Sequence, residues 1–124
     1  DHFVTKRNEL AQRYNTRLSN LPLEVPAKSK DTNSAFHLYI VKLTDQSPMG
    51  RKELYDGLRS SNIGVNVHYI PVHLQPYYKE MGFSAGDFPE AERYYSRAIS
   101  LPLHPKLTLD EQDYVISRIS ELLR

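Results

Sequence analysis

A chain of 124 residues is the size of a single domain, able to bury roughly two-thirds of the surface that its unfolded form exposes. Sixteen basic and fifteen acidic side chains leave a formal charge of +1 with no basic run, so there is no electrostatic footing for nucleic acid or an anionic membrane. The absence of cysteine excludes disulfides, a thiolate nucleophile and cysteine-ligated metal centres, and no apolar run approaches the ~18 residues of a membrane span, nor do the first residues form a signal-peptide core, so the expected setting is the cytoplasm.

In residues 1–21, Phe3, Leu10, Tyr14, Leu18 and Leu21 recur at helical spacing among Lys, Arg, Glu and Gln. The spacing predicts a long amphipathic helix. A chain that opens directly inside such a pattern reads as one cut from a longer protein, the helix having carried on from, or toward, a preceding domain. Pro22 and Pro26 end the pattern, and residues 27–34, AKSKDTNS, are a polar loop of turn formers.

Residues 35–43, AFHLYIVKL, are rich in aromatic and β-branched side chains and predict a strand. Phe36, Leu38, Ile40 and Lys42 would share one face, with His37, Tyr39, Val41 and Leu43 on the other. In the following turn Ser47 can cap and Pro48 can take the first helical position, leading to a helix over about 51–60 with Leu54, Tyr55 and Leu58 as its buried stripe. Asn62, Ile63 and Gly64 return the chain to a second strand, with Val65 and Val67 pointing one way and Asn66 and His68 the other. Residues 35–67 therefore read as strand, helix, strand.

Pro71 cannot donate to a sheet ladder and biases Ile70 away from helix, so the backbone leaves the sheet just after His68 and Tyr69. Beyond it the chain enters a loop of ring-bearing residues: Pro71, His73, Pro76, Tyr77 and Tyr78. Nine tyrosines stand against no tryptophan, and several fall here. Imidazoles, phenols and prolines at the end of a rigid strand present flat, weakly polar faces and stiff hydrogen-bonding groups, as a ligand loop requires. Residues 87–90, DFPE, have the form of a capping box before a helix over 88–99. Residues 100–103, SLPL, form a short extended piece. A second capping box, TLDE at 108–111, starts a final helix with Leu109, Tyr114 or Val115, Ile119 and Leu122 or Leu123 on its apolar face. The alternation of strand and helix signals indicates an α/β two-layer domain, a small sheet covered mainly on one face by helices.

The run His68-Tyr69-Ile70-Pro71-Val72-His73, followed by Pro76-Tyr77-Tyr78, Gly82, Pro89-Glu90-Ala91-Glu92 and Ser100-Leu101-Pro102-Leu103, resembles the C-terminal domain of the DegT/DnrJ/EryC1/StrS sugar aminotransferases. The pieces SAFHLYIVKL, Arg51 with the leucines after it, and NIGVNVHY agree in order, so the resemblance covers nearly the whole chain. It implies the small domain, residues 1–124, of a fold-type I pyridoxal-phosphate enzyme, with a small, mostly antiparallel sheet packed on helices and residues 1–21 as the joint to a large domain. The implied activity is transfer of an amino group from glutamate to a nucleotide-linked keto sugar. The run HYIPVHLQPYY with GDFPEAERYY points within the family to members acting on a UDP-linked 4-keto-6-deoxy sugar, and such enzymes are homodimers. The family's Schiff-base lysine and its cofactor-binding residues belong to the large domain. No family lysine motif surrounds Lys6, Lys28, Lys30, Lys42, Lys52, Lys79 or Lys106, so this chain is expected to hold no cofactor, to contribute no catalytic residue and to be inactive alone.

The resemblance assigns His68, Tyr69, Ile70 and Pro71 as substrate contacts, with His73 beside them; by itself His68 would read as a histidine hydrogen-bonded within the core. His37, His68 and His73 lack the acid or cysteine spacing of a zinc site, so no metal is expected. Tyr77 and Tyr78 either stack on a base or pack the loop onto the sheet. Tyr94 and Tyr95 have the spacing of core or domain-interface residues, and Arg51, at a helix start it does not complement, reads as solvated. A competing reading is a free-standing module that binds a small ligand or a protein through the loop at 68–78. A polar rim all round would favour the module, and an exposed apolar face would favour a domain parted from its neighbour.

Overall fold

The structure, a computed structural model, describes residues 2–124. Helix α1 (His2–Arg17) buries Leu10, Ala11 and Tyr14, and Leu18 follows them into the core one turn later. It stops four residues short of the predicted end, where Leu21 N–H bonds back to the Leu18 carbonyl and the chain turns at Pro22. Residue 1 of the predicted helix lies outside the described residues. Pro22 then does more than terminate. Its carbonyl accepts from Thr44 N–H at 3.0 Å and so begins β1 (Leu23–Glu24), a two-residue edge strand, the position in a sheet where proline neighbours are tolerated.

Strand β2 (Tyr39–Leu43) is shorter than the predicted 35–43. Phe36, at φ +42°, breaks the alternation, and its ring lies buried 6.4 Å from that of Tyr39 instead of facing out with Ile40. The remaining alternation holds: Tyr39, Val41 and Leu43 are buried, while Ile40 and Lys42 are half-buried on the other side. Helix α2 (Arg51–Ser60) has the predicted bounds. Gly50, not Ser47 or Pro48, stands at its start, and the Ser47 hydroxyl donates to the Met49 carbonyl. A Cβ on Gly57 would meet Leu122 at 3.0 Å, so the glycine lets α2 and the last helix approach closely.

The second strand of the predicted strand-helix-strand unit is not formed. Val65 is buried and Val67, expected on the same face, half-buried, with Ile63 buried before them, but pairing reduces to one antiparallel bridge between Asn66 and Ser100. A 3-10 turn (Val72–Leu74) and the short α3 (Pro76–Glu80) come next. Helix α4 (Pro89–Arg97) begins at Phe88 without a side-chain cap, because Asp87 instead accepts from the backbone N–H and hydroxyl of Ser84. The predicted helix to residue 99 gives way at Ala98 to β3 (Ala98–Leu101), all four of whose residues are buried. Helix α5 (Leu109–Leu123) carries the predicted capping box, with Thr108 Oγ1 accepting from Glu111 N–H and the Glu111 carboxylate accepting from Thr108 N–H.

The sheet order is β1-β2-β3, antiparallel throughout, with Leu23 opposite Leu43 and Val41 opposite Ile99. Its inner face packs on α1, α2 and α5 in one core. At the centre the rings of Tyr14 and Tyr39 stack at 4.9 Å, their hydroxyls donating to the Pro102 carbonyl and Asn15 Oδ1. Helix α1 is also held from outside: Arg13 donates twice to the Asp113 carboxylate and once to Gln112 Oε1, and the buried Gln112 donates to the Leu10 carbonyl. On the outer face Lys42 and Tyr94 of α4 border a charged cleft of about 250 Å³ with Glu24, Arg93 and Arg97.

Candidate functional site

The loop after Asn66 leaves the sheet because β3 offers Asn66 only one bridge, through paired N–H to carbonyl bonds with Ser100 of 3.2 and 2.8 Å. Two residues on, His68 is tied to the same position of β3 by its side chain: His68 Nδ1 and the buried Ser100 Oγ share a 2.7 Å hydrogen bond. One ring nitrogen is thereby anchored. His68 Nε2 has no hydrogen-bond partner among the described residues, so a half-buried, oriented imidazole presents one nitrogen outward. The Tyr69 ring stands edge-on to it at 4.7 Å and is itself 72% exposed; Ile70 is exposed too.

The next two predicted contacts are placed differently. Pro71 is buried, and His73 is 5% exposed with its ring turned into the domain. His73 Nε2 lies 2.7 Å from Glu92 Oε1 on α4, and the same oxygen accepts from Gly86 N–H at 2.7 Å. These bonds, that of His73 first, hold the Glu92 carboxyl below the usual carboxylate range against desolvation and, more weakly, the charge of Asp87. Phe88 packs on the His73 ring at 4.9 Å. Val72, His73, Tyr78, Phe83, Phe88 and Ala91 line a cavity of about 340 Å³ whose walls are almost wholly apolar. Of its lining, Val72, Phe83 and Phe88 are exposed, as are Tyr77 and Met81, making an apolar surface continuous in sequence with Tyr69 and Ile70.

The structure thus brings His68, Tyr69 and Ile70 to one surface and turns Pro71 and His73 beneath it. Tyr77 and Tyr78 meet edge to face at 5.3 Å, and α3, which carries them, buries no residue, so they do not pack the loop onto the sheet. Tyr94 is exposed. Tyr95 is half-buried beneath Arg51, whose guanidinium carbon sits 4.9 Å from the ring centroid, a cation–π contact in place of the predicted solvated arginine. His37 is exposed, and no cluster of metal-ligating side chains occurs among the described residues. Sequence reasoning missed Ser100 and Glu92, the partners of the two loop histidines.

The lysines do not fit the cofactor that the resemblance implies. Lys42 and Lys52 each lie 2.6 Å from a carboxylate, of Glu24 and Asp56, and Lys6 pairs with Glu9. Lys28, Lys30, Lys79 and Lys106 are exposed. An imine-forming amine needs a lowered pKa in an enclosed pocket, whereas the bond to Asp56 raises that of Lys52, and the aromatic cavity contains no lysine.

Comparison with known proteins gives a consistent answer. The spore coat polysaccharide biosynthesis protein SpsC of Bacillus subtilis is 38% identical over 128 residues, covering 100% of this chain and 33% of that protein. A DegT DnrJ EryC1 StrS aminotransferase from Brucella abortus superposes with a TM-score of 0.82 at 31% identity, over 98% of this chain and 31% of that one. PseC of Helicobacter pylori, an aminotransferase involved in pseudoaminic acid biosynthesis, superposes with a TM-score of 0.87 over 98% of this chain and 33% of that one, but at 24% identity it speaks for the fold alone. The chain spans about a third of the length of these proteins. The sequence profile of the DegT/DnrJ/EryC1/StrS aminotransferase family matches residues 1–120, and the chain belongs to that family.

Proposed function

We propose that this chain is the small domain of a pyridoxal-phosphate-dependent sugar aminotransferase, and that it forms one wall of the cleft in which a nucleotide-linked keto sugar receives an amino group from glutamate. The observation that carries the reading is His68: a ring fixed through Nδ1 by Ser100 and offering Nε2 beside the exposed Tyr69 and Ile70. One oriented polar group among flat apolar neighbours suits a sugar or phosphate oxygen set against a ring. In this reading His68, Tyr69 and Ile70 touch the substrate, and Pro71 and His73 shape the surface from below. The cofactor and its lysine belong to a large domain, with α1 as the joint, and the complete protein is a cytoplasmic homodimer. The apolar surface from Tyr69 to Phe88 supports a domain that packs against another over a free-standing module. The narrower reading, a UDP-linked 4-keto-6-deoxy sugar as handled by UDP-4-amino-4,6-dideoxy-N-acetyl-β-L-altrosamine transaminase of pseudaminic acid biosynthesis, rests on the run HYIPVHLQPYY with GDFPEAERYY.

The test is His68→Ala in the full-length protein with glutamate as donor. Loss of one hydrogen bond to a polar or charged ligand group corresponds to ~1.5–3 kcal/mol, a tenfold to hundredfold rise in KM for the nucleotide sugar. Neither kcat nor KM for glutamate should move comparably. An unchanged sugar-nucleotide KM removes His68 from the site.

A further inference from the structure

The loop that bears Tyr69 and Ile70 buries Pro71 and His73 and gains little else of its shape from packing. Between Tyr69 and Phe88 most large apolar side chains are exposed and α3 buries none, so few packing contacts oppose other conformations of this segment. Apart from the bonds within its own turns, two polar ties hold it to other elements. The first is His68 on Ser100, at the sheet. The second is Glu92, whose Oε1 joins three pieces of chain: its own helix α4, the 3-10 turn through His73 Nε2, and the turn before α4 through Gly86 N–H, both at 2.7 Å. Gly86 has φ +96°, a conformation that side-chain-bearing residues rarely adopt, and in it the N–H reaches the carboxylate. An ionised carboxylate only accepts, so His73 meets it with a proton on Nε2.

We propose that Glu92 is a positioning residue for the substrate-facing loop: by clamping His73 and Gly86 to α4 it fixes the stretch between His68 and Leu74, and so holds Tyr69 and Ile70 outward and the aromatic cavity in shape. The proposal rests on the reading of His68 and Tyr69 as substrate contacts. Glu92 itself touches no substrate. Its partners lie 19 and 6 residues away in sequence, so the clamp closes a loop that local turns alone leave free.

The experiment uses the full-length protein with Glu92→Ala, Glu92→Gln, His73→Ala and the Glu92→Ala/His73→Ala double variant. Glu92→Ala removes both bonds and should raise KM for the nucleotide sugar by at least about tenfold, the order that one charge-assisted bond is worth, and leave KM for glutamate unchanged. Glu92→Gln keeps an oxygen that can accept from both N–H groups, and should stay within about threefold of the parent. The double variant should be no worse than the poorer single variant, as expected of two ends of one contact. Hydrogen exchange gives a readout that does not depend on turnover: the bonded amides of residues 74, 75 and 86 should exchange faster in Glu92→Ala and not in Glu92→Gln, with α5 unchanged as the control for folding. If Glu92→Ala leaves both the sugar-nucleotide KM and these amides unchanged, or if Glu92→Gln is as impaired as Glu92→Ala, the proposal is overturned. His68→Ala separates the two claims. A rise in KM with His68→Ala but none with Glu92→Ala sinks the clamp alone, and no rise with His68→Ala removes the substrate reading on which it stands.

Discussion

His68 and His73 sit in one loop yet have opposite settings, one with a ring nitrogen outward and the other closed over a carboxylate. The residue types were legible from sequence; their partners were not, because Ser100 and Glu92 lie 32 and 19 residues downstream with no periodic relation to them. The Glu92 pairing also fixes a pH dependence. The folded pKa of Glu92 is lowered, first by His73 and then by Gly86, so the stabilisation is fully present above the unfolded value, near 4.5, and is lost as pH falls through the folded value. Amide protection at residues 74, 75 and 86, corrected for intrinsic exchange rates, should hold from neutral pH down to about that value and collapse below it. Protection that persists in strong acid would show that the carboxylate is not what holds the loop.

Among the elements, capping signals and apolar runs proved unequally informative. TLDE and DFPE have the same form, but only Thr108 caps; Asp87 turns back to Ser84, since Gly86 allows a tight turn that brings them together. The run Ala98 to Leu101 is buried on both faces and carries no period, so Ala98 and Ile99 read as the end of a helix, while Ser100 and Leu101 read as extended, as they are. The amphipathic α1 and α2 were legible because each buries one stripe of helical spacing. Thr108→Ala should therefore lower unfolding free energy by about 1 kcal/mol, read from the urea midpoint at unchanged m-value. Asp87→Ala should leave α4 as helical as before, because no cap is lost; a matching loss of α4 amide protection would contradict this assignment.

At the scale of the molecule, the fold class was legible from the alternation of helix and strand signals, but not the sheet topology, which depends on two short strands lacking any pattern of their own. The distribution of lysines bears on the proposed division of labour. All seven are exposed or half-buried, and Lys6, Lys42 and Lys52 are paired with carboxylates. The 124-residue chain, incubated with pyridoxal phosphate and reduced with borohydride, should therefore yield no stoichiometric adduct at a single lysine, only low labelling spread over the exposed amines. Mass spectrometry of the digested product would show which, and one fully labelled site would overturn the assignment of the cofactor to another domain.

The two prolines around β1 have a consequence for how copies of this molecule can meet. A sheet that ends in a long bare strand invites another chain to extend it, the first step toward fibrils. Here the outer border is two residues long, with Pro22 before it and Pro26 two residues beyond, and Pro26 has no N–H to offer. The opposite border is occupied by Asn66, which takes both the N–H and the carbonyl of Ser100, while His68 holds the Ser100 side chain. Neither margin is a template for growth. Contact through the bare aromatic surface between Tyr69 and Phe88 therefore runs through side chains and does not extend the sheet.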